Sequence, residues 1–214
     1  SVNSNQYSVG RLGISDDCHL ATDYSKVYMA IKEILTSEAP VLRQKAKKVK
    51  RVGGSTQKLI DDMFESMHAA HGLGLAAPQI GVSLRVLVIE MPDDDTDEQV
   101  EALPEDQRHV SYSGEKYALV NPELIKAEGE QFGEEGCLSI PGYVGLVRRA
   151  MKVTVKGLDR KGKEVKIKGE GLLARALQHE IDHLDGVLFT DRLEKPEHLL
   201  RLTEDGRVPA FQGG

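Results

Sequence analysis

Cysteine is scarce in this sequence: Cys18 and Cys137 are the only two in 214 residues. Two cysteines in so long a chain do not make a disulfide framework, so a reducing compartment is expected. Long apolar runs are missing as well. No stretch approaches the roughly 20 residues that a membrane-spanning helix needs. The first residues lack the charged and then apolar regions of a secretory signal, and arginine is sparse over residues 1–28, against a transit peptide. Nor is there a basic excess: 28 Lys and Arg face 34 Asp and Glu, a net charge of −6. That balance leaves no electrostatic footprint for nucleic acid. The local basic clusters at 45–51 and 160–168 interleave with apolar or acidic residues and read as solvated faces. Neither a membrane nor direct nucleic acid is expected as a partner.

What is present is 40% hydrophobic residues, enough for one packed domain. Residues 1–28 are polar and aperiodic and read as a flexible N-terminal extension. A catalytic domain is expected over 29–193, followed by a C-terminal tail, 194–214. Ser55 or Thr56 can cap a helix to about His71, with Leu59, Ile60, Met63, Phe64 and Met67 at helical spacing. Residues 85–90 read as a buried strand and 117–121 as another, ended by Pro122, with a further short strand over 123–128. Between them, 92–115 is an acidic surface insertion without the spaced ligands of a calcium loop. The stretches 151–158 and 164–168 alternate around a turn at 159–162 and predict a β-hairpin. An apolar helix follows from Gly171 to about Leu184, closed by Asp185 and Gly186. The class expected is α+β: antiparallel β-sheets packed around a central buried helix.

That helix carries His179-Glu180-Ile181-Asp182-His183, a His-Glu-x-x-His pattern. Residues four apart share a helix face, so both imidazoles can reach one ion, while Glu180 points elsewhere. A divalent ion acidifies water, and a nearby carboxylate can take the proton and pass it to a leaving group. Two surface histidines on an ordinary helix are the bland alternative. Leu172, Leu173, Ala174, Ala176 and Leu177 argue for burial instead, and buried His and Glu demand partners. Alone, the motif suggests a zinc peptidase and names no third ligand. Cys137 is the candidate, because glycine and polar residues flank it rather than a hydrophobic run, and a thiolate beside a metal ligates. Two imidazoles and one thiolate leave a fourth position open, the mark of a catalytic site.

Residues 72–81 form a glycine-rich loop that mimics a dinucleotide fingerprint. The order is wrong for one: the glycines follow a helix and precede a strand. Two readings of Gln79 stay open, an amide aimed at a developing oxyanion and a capping side chain in a tight turn.

Together three segments resemble peptide deformylases: Gly72-Leu73-Gly74-Leu75-Ala76-Ala77-Pro78-Gln79, Glu135-Gly136-Cys137-Leu138-Ser139 and Gln178-His179-Glu180-Ile181-Asp182-His183. They occur in the family's order, and the similarity spans about 29–193. The resemblance implies removal of the formyl group from the N-terminal formylmethionine of newly synthesised proteins, releasing formate. It implies Cys137, His179 and His183 as ligands of Fe²⁺, which Zn²⁺, Ni²⁺ or Co²⁺ can replace, and Glu180 as general base and then acid. Gln79 and the Leu138 N–H would hold the formyl oxygen. Backbone around Leu73, Gly74 and Gly136 would pair with an extended peptide, and Leu172, Arg175 and the His179 ring would line the methionine pocket. The partners implied are N-formylmethionyl nascent peptides, with the ribosome left open because no long basic helix follows Arg192. The cytoplasm, or an organelle's stroma or matrix, is the location expected. Val144 stands where some bacterial members place an arginine, and Pro141-Gly142-Tyr143 is closer to the branch shared by organellar and many bacterial enzymes.

Overall fold

A computed structural model describes residues 30–92, 114–204 and 206–211. The N-terminal extension and most of the acidic insertion lie outside these. Among the described residues are two α-helices, α1 (Gly54–Ala69) and α2 (Gly171–Asp185). Strands β1 (Gly74–Ala76), β2 (Val86–Glu90), β3 (Lys116–Glu128), β6 (Lys152–Leu158) and β7 (Glu164–Glu170) form one sheet in that order. Strands β4 (Gln131–Gly136), β5 (Tyr143–Arg149), β8 (Leu199–Thr203) and β9 (Gly206–Pro209) form a second. Every pairing within the sheets is antiparallel, and the expected α+β class is what the chain adopts. No described helix is long and apolar enough to cross a membrane.

The five residues of β2 are all buried because the first sheet is covered on both faces. Leu87 and Ile89 join Leu177, Ile181 and Leu184 of α2 in one apolar cluster. Val86 and Val88, pointing the other way, join Ile60, Met63 and Met67 of α1 in another. Helix α2 also meets β5, so it lies against strands of both sheets. Its end is set by Gly186, which takes the left-handed conformation at φ 79° and donates to Asp182 and His183 carbonyls.

Three expectations change. Helix α1 starts at Gly54 behind Gly53, with no side-chain cap, so Ser55 and Thr56 lie inside its first turn. Pro122 does not end a strand. β3 continues through it by a register shift between Val120 and Glu123, with Asn121 at φ 53°. The missing proline N–H is tolerated because Asn121 turns outward there: its N–H donates to Arg85 O, and its side-chain amide both accepts from and donates to Val49 backbone. Within the stretch assigned from sequence to a tail, Leu199–Thr203 and Gly206–Pro209 are strands β8 and β9, with β8 paired to β5.

Candidate metal centre

Helix α2 places His179 and His183 on one face, with ring centroids 4.9 Å apart. Cys137 follows the last residue of β4, and its Sγ lies 3.2 Å from His183 Nε2. One donor atom from each of Cys137, His179 and His183 falls within 4.8 Å of the others, an arrangement that could hold a metal ion. Both histidines are buried, and the thiol is partly exposed.

Glu180 is buried beside them. Its Oε1 lies where a Cβ on Gly74 would come within 2.4 Å, so only glycine admits the carboxylate at that point of β1. Its Oε2 is buried without a hydrogen-bond partner, as is His183 Nδ1. Burial, with the nearby Glu135 charge, pushes the Glu180 pKa up to about 7 against the pull of His179 and Arg149. Three converging N and S donors beside an unpartnered carboxylate oxygen suit a divalent ion and a water molecule.

Gln79 sits in a 3-10 turn, Ala77–Ile80, after β1. Its Oε1 accepts the Ala76 N–H at 2.8 Å, which aims Nε2 at Ser139 Oγ (3.3 Å) and Cys137 Sγ (3.8 Å). Of the two readings left open, the amide therefore both ties its own turn and reaches the donor cluster. A cleft of about 310 Å³ opens beside it, and its walls include Leu73, Gly74, Gly136, Leu138, Leu172 and Arg175. Strands β1 and β4 are the edges of their sheets and both contribute to this cleft. Arg175 lines it, yet its guanidinium is committed inward, donating to Gly133 O, Val147 O and Glu135 Oε1.

Sequence reasoning assigned no role to Glu135, Ser139, Arg149 or Asp182. Glu135 accepts two hydrogen bonds from Arg149 (2.8 and 2.9 Å), one from Arg175 (3.0 Å), and meets His179 Nδ1 at 2.9 Å. Burial alone would raise its pKa, but the bonds from Arg149 and His179 hold it at about 2. An ionised Glu135 fixes the His179 ring with Nδ1 turned away from the cluster. Glu135 and Asp182 stand inside quoted motifs and could have been found there. Arg149 carries no sequence signal beyond an Arg-Arg pair in a strand.

A family model described as polypeptide deformylase matches residues 31–198. The peptide deformylase of Dehalococcoides mccartyi is 49% identical over 181 residues, covering 85% of this chain and 97% of that protein. The crystal structure of a peptide deformylase from Legionella pneumophila is 50% identical with a TM-score of 0.65, over 77% of this chain and 87% of that one. A class I type b peptide deformylase from Acinetobacter baumannii, solved with Met-Ala-Ser bound, is 32% identical with a TM-score of 0.67, over 77% and 99%. Fold and site define a metal-dependent hydrolase. The chain belongs to the polypeptide deformylase family, and its reaction is removal of the formyl group from the N-terminal formylmethionine of nascent polypeptides.

Proposed function

We propose that Cys137, His179 and His183 hold the ion, Fe²⁺ in the native protein with Zn²⁺, Ni²⁺ or Co²⁺ as substitutes, and that Glu180 moves the protons. The convergence of the three donor atoms within 4.8 Å beside the unpartnered Glu180 Oε2 carries this reading. When bound, the ion supplies a Lewis acid that lowers the pKa of water and polarises the formyl carbonyl. Glu180 Oε2 takes the proton of the attacking water and returns it to the methionine nitrogen as the C–N bond breaks and formate leaves. Gln79 Nε2 and the Leu138 N–H hold the carbonyl oxygen as negative charge develops on it.

The peptide lies extended between the two sheet edges, pairing with backbone at Leu73 and Gly74 of β1 and Gly136 of β4 in the manner of strand addition. Leu172, the stem of Arg175 and the His179 ring take the methionine side chain. The Met-Ala-Ser held by the Acinetobacter baumannii enzyme is the kind of peptide that such a cleft would release. The catalytic unit runs from about residue 29 through β9, supported by the match over 31–198 and by the pairing of β8 with β5. We place it in the cytoplasm, with organelle stroma or matrix as the alternative, in transient contact with the ribosome. Co-sedimentation with ribosomes tests that contact, and protein left in the supernatant would confine the partner to the peptide.

The experiment for the reaction is incubation of anaerobically prepared, iron-loaded protein with formyl-Met-Ala-Ser. Formate is expected, and none released would overturn the reading.

A further inference from the structure

Beyond α2, Gly186 turns the chain into another 3-10 turn, Phe189–Arg192, that comes back against the helix. Phe189 is fully buried, and its ring stacks on the His179 imidazole with centroids 6.4 Å apart at 22°. The close approach of Gly145, where a Cβ would fall 2.5 Å from Phe189, locks this ring in place. At the other end of the same turn, Arg192 grips Asp182 with two bonds, Nη2 to Oδ1 at 2.7 Å and Nε to Oδ2 at 3.0 Å. Asp182 Oδ2 also accepts from Arg149 Nη1, and Arg149 spends its remaining face on both oxygens of Glu135. Glu135 in turn meets His179 Nδ1.

From this geometry we infer that Arg192 is a positioning residue for the metal centre, acting through Asp182, Arg149 and Glu135 on the orientation of the His179 ring. The inference rests on His179 being a ligand. Each link after Arg192 is buried: Arg149 and Glu135 side chains are 4% and 3% exposed and that of Asp182 is 10%. Such groups cannot trade partners with water, so a charge-assisted bond lost at one end is felt along the chain. Without Arg192, Asp182 has one guanidinium to share between two oxygens. Arg149 is drawn toward it, and its two-point grip on Glu135 loosens. Arg43, from the separate 3-10 turn Pro40–Arg43, provides the contrast. It pairs with Asp191 in the open, and both side chains are more than a third exposed; the other bond of Asp191 comes from the Leu188 N–H, and neither residue hydrogen-bonds to Asp182, Arg149 or Glu135.

The test uses the full-length protein loaded with Co²⁺, comparing Arg192→Ala, Arg192→Lys, Arg192→Gln, Glu135→Gln and Arg43→Ala. Visible absorption reports the ligand field, and competition with a chelator reports affinity. Direct hydrogen-bond partners of metal-binding histidines typically control affinity by roughly 10–100-fold, and Glu135→Gln should fall in that range. Arg192→Ala should lose several-fold and shift the Co²⁺ bands. Arg192→Lys should recover part of the affinity, and Arg43→Ala should change thermal stability alone. If Arg192→Ala does not fold, Arg192→Gln, which keeps a donor and loses the charge, carries the comparison. Bands and affinity in the Arg192 variants equal to those of Arg43→Ala would overturn the inference. His179→Ala separates the two levels. Metal bound by it as tightly as by the parent would remove the ligand assignment itself, whereas metal lost there with Arg192 variants unchanged would remove only the relay.

Discussion

Glu180 holds one carboxylate oxygen against Gly74 and the other, unpartnered, beside the donor atoms of Cys137, His179 and His183. Replacing it with glutamine keeps the shape and removes the base, so Glu180→Gln should retain metal and lose kcat by about 10²–10⁴-fold. Metal analysis beside a formate assay checks both halves, and turnover within tenfold of the parent would contradict the role. With the Glu180 pKa at about 7, and lower once a dication lies beside it, kcat/KM should fall as pH drops below that value. Glu135 makes an opposite statement about stability. Its folded pKa is about 2 against an ordinary 4.5, so its contribution is complete above pH 4.5 and is lost as pH falls toward 2. That loss is on the order of 3 kcal/mol. Denaturant titrations between pH 6 and 2 should show it, and Glu135→Gln should show a flatter dependence. At this scale the sequence displayed Cys137, His179, Glu180 and His183, which the fold brings together, because they sit in short local motifs. Arg149 and Arg192 were invisible since their meaning depends on partners 14 and 10 residues away, at Glu135 and Asp182.

Elements bring these residues together in ways that differ in how far sequence displays them. Helix α2 was legible because an apolar face, the helical spacing of His179 and His183, and Gly186 all agree on one structure. Strand β2 was legible from its β-branched run, and the β6–β7 hairpin from alternation around Gly162 at φ 82°. The continuity of β3 was hidden because Pro122 is ordinarily a terminator, and only the tertiary bonds of Asn121 to Val49 and Arg85 let the strand pass it. Strand β1 is three residues long and is specified by its place rather than its propensity. Gly74 within it is the contact point with Glu180, which gives a test at this scale. Gly74→Ala puts a Cβ 2.4 Å from Glu180 Oε1 and 2.9 Å from its carboxyl carbon, so the carboxylate must move. Misplacing the base should lower kcat by about tenfold or more, with little change in melting temperature because the flexible end of a side chain yields. An unimpaired kcat in Gly74→Ala would show that Glu180 works from another position.

At the scale of the whole molecule, the cleft lies between two sheets, and the second of them depends on the last strands of the described chain. Cys137, Glu135 and Arg149 are supplied by the β4–β5 hairpin, and a lone two-stranded hairpin is marginal in water. β8 pairs with β5 at Tyr143–Arg201, Val144–Leu200 and Gly145–Leu199, and Arg207 of β9 pairs with Glu134 on the cleft wall. A chain ended after His198 would keep the three quoted motifs whole, but would leave that β5 edge unpaired and Glu134 without Arg207. Two outcomes can be distinguished by adding metal. Binding stabilises the folded state by RT ln(1 + [L]/Kd), about 4 kcal/mol at a thousand times Kd. If β8 and β9 only cover an edge, the shortened chain binds metal as the full one does, and the gap between their melting temperatures stays constant as metal is added. If they hold the hairpin that presents Cys137 and Glu135, the shortened chain has the larger Kd and gains less at each metal concentration. The gap should then widen with metal. Thermal unfolding of both chains across a Co²⁺ titration measures it, and a constant gap would reduce β8 and β9 to a cover.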